Sequence, residues 1–382
     1  MIRCLTPQDL RSARLSIVLS AVSLSLLAAG CDSRPAVDPG VVITPEAGSA
    51  QPESAAAPAT EAITEIASEQ STSTSGSQAK IDQALPVYEA VQGVAGNIKS
   101  TGSDSMNNLM TLWAEGFRKF YPSVQVEIEG KGSSTAPPAL ISGTANFGPM
   151  SRDMKPSEID QFEARFGYPP TELRTAVDML AVYVNKDNPL ESLTLPQVDA
   201  IFSVNRSLGH AQDIRTWDQL GLKGSFANKP ISMYGRNSAS GTYGFFKEHA
   251  LGKGDYKDSV KEQPGSSSVV QSITSDQYGI GYSGIGYKTA GVNAVAVAAA
   301  EGEKPVPASI DYAYSGEYPL SRTLNVVVNY KPGGELDPLR REFVRYVYSR
   351  QGQQDVIKDG YFPVTAEMAR EALKSIGIEP GF

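Results

Sequence analysis

A chain that repeats one local order, short strand then Gly/Ser loop then helix start, is held to alternating α/β architectures with covered, mainly parallel sheets. This sequence uses that order three times and leads a further Ser-bearing loop into a helix. Residues 97–100 read as extended, Thr101-Gly-Ser-Asp-Ser105 as a loop, and 106–120 as a helix with Leu109, Leu112, Trp113, Phe117 and Phe120 on one face. Val124, Val126 and Ile128 alternate as a strand, Glu129-Gly-Lys-Gly-Ser-Ser-Thr135 turns, and Pro137 and Pro138 suit a first helical turn. Asn146-Phe-Gly-Pro-Met-Ser-Arg-Asp-Met154 runs into a helix over 157–166. The fourth unit is an apolar run at 231–234, the loop Gly235-Arg-Asn-Ser-Ala-Ser-Gly-Thr242, and a helical pattern over 242–251.

In such sheets ligands sit where strands end and helices begin. The first N–H groups of a helix have no intrahelical acceptor, and the helix dipole places partial positive charge there. Serines at 103, 134, 151 and 240 add hydroxyls at these places, and Arg152 and Arg236 add guanidinium groups. That chemistry suits a small oxyanion. N-capping accounts for any one of these serines alone; four such loops in one chain point to an oxyanion cleft. Further along, the apolar run 179–184 reads as a crossing between domains, and helices are expected over 194–202, 269–275, 337–350, 354–358 and 367–376.

The first thirty residues read as an export signal. Arg3, Arg11 and Arg14 precede a mostly apolar run too short to span a membrane, which ends Leu27-Ala-Ala-Gly-Cys31. This ending resembles a bacterial lipoprotein signal, which implies lipidation of Cys31. Cys4 lies in the part that would be removed, so neither a disulfide framework nor a cysteine metal site is expected. Residues 31–90 are expected to be a tether: up to residue 80 they are rich in Ala, Ser, Thr, Pro and Glu and lack aromatic residues. A coil of this kind reaches about 40 Å on average.

With 42 acidic against 34 basic residues the net charge is −8, a poor match to nucleic acid. A Ser-dependent phosphatase would need a base near Ser240. Of the two histidines, His249 lies about 13 Å along a continuing helix and His210 sits in a loop. Gly130-Lys131 lacks the Ser/Thr and leading Gly of a nucleotide P-loop, and there is no HExxH. No enzyme activity, cofactor or metal is expected.

Together, Thr101-Gly-Ser-Asp-Ser105, Glu129-Gly-Lys-Gly-Ser-Ser134, Ser151-Arg152, the Gly235–Thr242 loop and the later Gly279-Ile-Gly-Tyr282 resemble the PstS family of periplasmic phosphate-binding proteins. The resemblance implies a two-lobed type II periplasmic binding fold, with lobe 1 over 91–177 plus 288–382 and lobe 2 over 178–287. It implies phosphate contacts from Ser103, Asp104, Ser105, Ser133, Ser134, Ser151, Arg152, Arg236, Ser238, Ser240, Gly241 and Thr242. It further implies a monomer, lipid-anchored to a bacterial membrane in the periplasm, that delivers inorganic phosphate to the permease of an ABC importer. Sulfate, molybdate or tungstate are the alternative ligands. Some family members carry an aspartate directly after the serine of the third loop, to accept the proton of hydrogen phosphate. Arg152 occupies that place, so the acceptor is expected at Asp104, with Asp153 second.

Overall fold

The computed structural model describes residues 79–382. The expected signal, Cys31 and the tether as far as residue 78 lie outside the described residues. The strands and α-helices run, in order, β1 (Asn97–Thr101), α1 (Asn107–Arg118), β2 (Gln125–Glu129), α2 (Ala136–Ile141), β3 (Phe147–Met150), α3 (Pro156–Phe166), β4 (Thr171–Asn185), β5 (Ser192–Thr194), α4 (Leu195–Phe202), β6 (Ser232–Arg236), α5 (Gly241–His249), β7 (Lys261–Gln263), α6 (Ser266–Ser275), β8 (Gly279–Gly284), β9 (Val292–Ala298), β10 (Ser321–Val328), α7 (Pro338–Val347), α8 (Arg350–Lys358) and α9 (Ala366–Ser375). The architecture is mixed α/β, with strands and helices alternating through most of the chain. Among the described residues no helix is long and apolar enough to cross a membrane.

The strand order is β2-β1-β3-β10-β4-β8-β6-β7, with β9 also on β4 and β5 on β9. β4, 15 residues long, is the element common to both halves. Its first part pairs antiparallel with β10 and its last part antiparallel with β8 and β9. The pairings β1–β2, β1–β3, β6–β7 and β6–β8 are parallel, as the strand–loop–helix order requires. The sheet is therefore mixed rather than wholly parallel, because β4 and β10 run against their neighbours.

Period-two alternation gives each half of the sheet a core on both faces. On β10, Val328 joins a core with Trp113, Phe117 and Phe343, while Val327 joins Ala136, Leu140 and Phe162 on the other face. On β4, Val182 joins Phe202, Trp217, Phe246 and Tyr282, while Tyr183 joins Val269 and Ile273. Trp113 is fully buried and donates Nε1–H to the Gly352 carbonyl at 2.8 Å. Phe246 and Tyr282 stack with ring centroids 3.8 Å apart.

Two boundaries differ from expectation. The last part of the tether, from residue 79, is packed: Leu85 and Tyr88 are buried in the first core, and Tyr88 Oη bonds Tyr121 and Glu342. These side chains find apolar surface against α1 and α7, which composition alone does not show. Residues 288–320, expected in lobe 1, pack with the second core. There β9 pairs with β4 and β5, and Val295, Val297, Tyr318 and Leu320 join Phe202 and Tyr282.

Candidate functional site

The helix starts that share this chemistry converge. The loop before α1 supplies Ser103, Asp104 and Ser105, the turn before α2 supplies Ser133, and the end of β3 supplies Ser151. From the second half of the sheet come Arg236 at the end of β6 and Gly241 and Thr242 at the start of α5. Backbone bonds lock the loops together: Ser103 N–H donates to the Pro149 carbonyl at 2.7 Å, and Ser134 N–H to the Ala239 carbonyl at 3.1 Å.

The hydroxyls form one network. Ser103 Oγ donates to Ser151 Oγ at 3.0 Å, and Ser133 Oγ lies 3.3 Å from Ser151 Oγ. Ser105 Oγ lies 2.8 Å from Thr242 Oγ1 and 3.2 Å from Ser266 Oγ. Ser103, Ser105, Ser133, Ser151, Thr242 and Ser266 are all buried. The polarity of their bonds is informative, because a hydroxyl has one proton to give and two lone pairs to receive. Thr242 Oγ1 accepts from Arg322 at 3.1 Å, Ser266 Oγ from Arg236 at 2.7 Å and Ser133 Oγ from the Ser151 N–H at 3.0 Å. Each of these three hydroxyls still has its own proton to give, to a neighbouring hydroxyl or to a further acceptor.

Two arginines stand in the network. Arg236, 2 % exposed, also pairs with Asp104 Oδ2 at 3.2 Å and donates to the Pro264 carbonyl at 3.3 Å. Its buried Nε has no acceptor among the described residues. Burial pulls the Arg236 guanidinium below its ordinary pKa, and the Asp104 charge opposes that. Arg322 on β10 donates to Asp178 Oδ2 at 2.8 Å and to the Ser151 carbonyl at 2.8 Å, besides Thr242. Asp104 Oδ2 also accepts the Ser266 N–H at 2.9 Å. A cavity of about 490 Å³, lined by Asp104, Asn107, Asn108, Tyr287, Lys288 and Asp359 among others, opens beside it.

Several expected contacts lie elsewhere. Arg152 does not face the network. Glu158 in the first turn of α3 holds its guanidinium by two bonds of 2.8 and 2.7 Å, and its remaining contacts are the Asp153 carbonyl and Ser134 Oγ. The arginine that faces the network from the first half of the sheet is Arg322. Ser134 contacts Arg152 rather than the hydroxyl network, and Ser238 is exposed. Ser240 caps α5, its Oγ accepting from Tyr243 N–H at 3.4 Å. Gly241 lets α5 approach: a Cβ there would fall 2.2 Å from Ser133 Oγ and 2.6 Å from Ser151 Oγ. Asp153 accepts from Asn325 at 3.0 Å. His210 Nδ1 bonds the Gln212 carbonyl and the His249 ring packs on Phe245, so among the described residues neither histidine serves Ser240.

Sequence reasoning missed Ser266 and Arg322. Ser266 follows the same strand, Gly/Ser loop and helix order, but its strand β7 is the short polar Lys261–Gln263. Arg322 lies inside a β-strand and carries no loop signal.

A family model described as a PBP superfamily domain matches residues 53–351. The phosphate-binding protein PstS of Pseudomonas aeruginosa PAO1 is 55% identical over 300 residues, covering 78% of this chain and 93% of the relative. The chain belongs to the PstS family. Members of this family are periplasmic substrate-binding components of transport systems. PstS of Bacillus subtilis is 26% identical over 273 residues, 71% of this chain and 82% of its own length. Among solved structures, one from Clostridium perfringens, assigned as a phosphate ABC transporter substrate-binding protein with phosphate bound, superposes with a TM-score of 0.60 at 26% identity, over 71% of this chain and all of that one.

Proposed function

We propose that this chain binds inorganic phosphate between two lobes in the periplasm and delivers it to the permease of an ABC importer. The observation that carries the reading is the polarity of the site. Arg236, whose buried Nε has no acceptor among the described residues, the start of α5 and hydroxyls that accept N–H bonds converge on one buried locus. Such an arrangement stabilises acceptor oxygens bearing negative charge. The proposed contacts are Ser103, Asp104, Ser105, Ser133, Ser151, Arg236, Gly241 and Thr242, joined by Ser266, with Arg322 behind Thr242. Ser134, Arg152, Ser238 and Ser240 are assigned supporting places around them.

Asp104 is the carboxylate beside Arg236, and we assign it the proton of hydrogen phosphate. A carboxylate there attracts the protonated oxyanion and repels sulfate, which has no proton to share. The lobes are read as 91–177 with 321–382, and 178–320, closing by a hinge about β4. Lipidation of Cys31 would hold the protein at the membrane, with the acidic tether setting its reach.

Titration calorimetry of the full-length chain tests this reading. One phosphate should bind per chain and excess sulfate should not displace it. No heat with phosphate, or displacement by sulfate, molybdate or tungstate, would overturn the assignment.

A further inference from the structure

Asp178 and Arg322 face each other as direct partners in the β4–β10 ladder, where β4 passes from the first core to the second. Both side chains are buried, at 0% and 2% exposure. Asp178 uses its other oxygen to accept the Ile285 N–H at 3.0 Å, which ties β4 to the turn after β8. Arg322 spends its remaining donors in two directions. One reaches the Ser151 carbonyl after β3, and the other reaches Thr242 Oγ1 on α5. Its guanidinium also lies 5.4 Å from the centre of the Phe245 ring on α5.

One side chain thus touches the strand crossing, the first-lobe serine loop and the second-lobe helix. A buried ion pair is weak evidence for stability, since desolvation offsets its attraction. Its geometry gives it another use. Asp178, Ile285 and Ser151 lie at the crossing or on Arg322's own side, so opening the cleft separates chiefly the contacts with Thr242 and Phe245.

We propose that Arg322 is a positioning residue that couples anion capture to lobe closure, with Asp178 as its anchor. This rests on the oxyanion reading above. The pair acts as a unit: without Asp178 the guanidinium is not held between Ser151 and Thr242, and without Arg322 the closed arrangement loses its tie to the crossing.

The test is a double-mutant cycle on the full-length chain, with phosphate affinity read by calorimetry and closure by small-angle scattering with and without saturating phosphate. Loss of charge-assisted bonds should weaken binding about 30- to 100-fold in Arg322→Met and about 10-fold in Asp178→Asn. The double variant should bind no worse than Arg322→Met, and the scattering change on saturation should shrink in all three. Additive losses, or Arg322→Met binding within threefold of the parent with full closure, overturn the proposal. Arg322→Lys keeps the charge but lacks the fork that reaches Asp178, Ser151 and Thr242 together, and it serves if Arg322→Met fails to fold. It should weaken binding about 10-fold and reduce the scattering change, and unchanged binding with full closure overturns the coupling. If the parent itself does not bind phosphate, the functional reading has failed rather than the coupling alone.

Discussion

Replacing Arg236 with methionine should abolish most of the affinity for phosphate. The side chain is buried, its NH1 holds Ser266 Oγ at 2.7 Å, and its NH2 lies 3.2 Å from Asp104. Hydrogen bonds to charged groups contribute about 1.5–3 kcal/mol each, and two such bonds from a guanidinium give about 3–6 kcal/mol. That corresponds to a loss of about 10²- to 10⁴-fold in Kd. The upper half of this range is expected here, for two reasons. Ser266 loses the donor that orients it, and Asp104 keeps its negative charge beside the anion without its partner. Removing that charge as well, in Arg236→Met with Asp104→Asn, should recover part of the loss. Calorimetry at fixed ionic strength measures both variants, with the thermal shift on adding phosphate as a second reading. If Arg236→Met bound within threefold of the parent, the donor network would not be the site.

Three further expectations follow from individual residues. Asp104→Asn should weaken phosphate binding and allow sulfate to compete, measured by titrating phosphate against a sulfate background. Gly241→Ala should fold normally but bind about 10- to 100-fold more weakly, because its methyl would collide with the Ser133 and Ser151 hydroxyls on closure. Asp359 should make stability depend on pH: burial and the Asp178 charge push its carboxyl up to about 7, against the pull of the Asn108 amide. A raised folded-state value means that the folded chain holds the proton longer, so this contribution is full below about pH 4 and fades as pH rises through 7. Asp359→Asn should flatten the urea-unfolding profile across that window, and an unchanged slope would refute the assignment.

What the sequence made legible was local. A serine after a strand and before a helix predicts its own place, because the orphan N–H groups it serves lie within the same turn. That pattern and the family resemblance together pointed to Ser103, Ser105, Ser133, Ser151 and Thr242, which the structure brings into one network, and also to Ser134 and Ser240, which it does not. The arginines divide according to what else competes for them. Arg236 sits in such a loop and was found with it. Arg152 sits in one too, yet Glu158, six residues on in the first turn of α3, takes its guanidinium. Arg322 reaches the site only because β10 pairs beside β4, a long-range register that no local pattern encodes. The same limit hid β3, whose Pro149 argues against a strand, although its carbonyl accepts the Ser103 N–H and so seats the first loop. It also hid the packing of Leu85 and Tyr88, whose partners on α7 lie more than two hundred residues away.

The most direct measurement is a crystal structure of the protein grown with inorganic phosphate. The account predicts one anion within hydrogen-bond reach of Arg236, Ser105, Ser151 and Thr242, with one of its oxygens facing Asp104 and Arg152 still held by Glu158. Phosphate bound elsewhere, or phosphate contacted by Arg152 in place of Arg236, would contradict it.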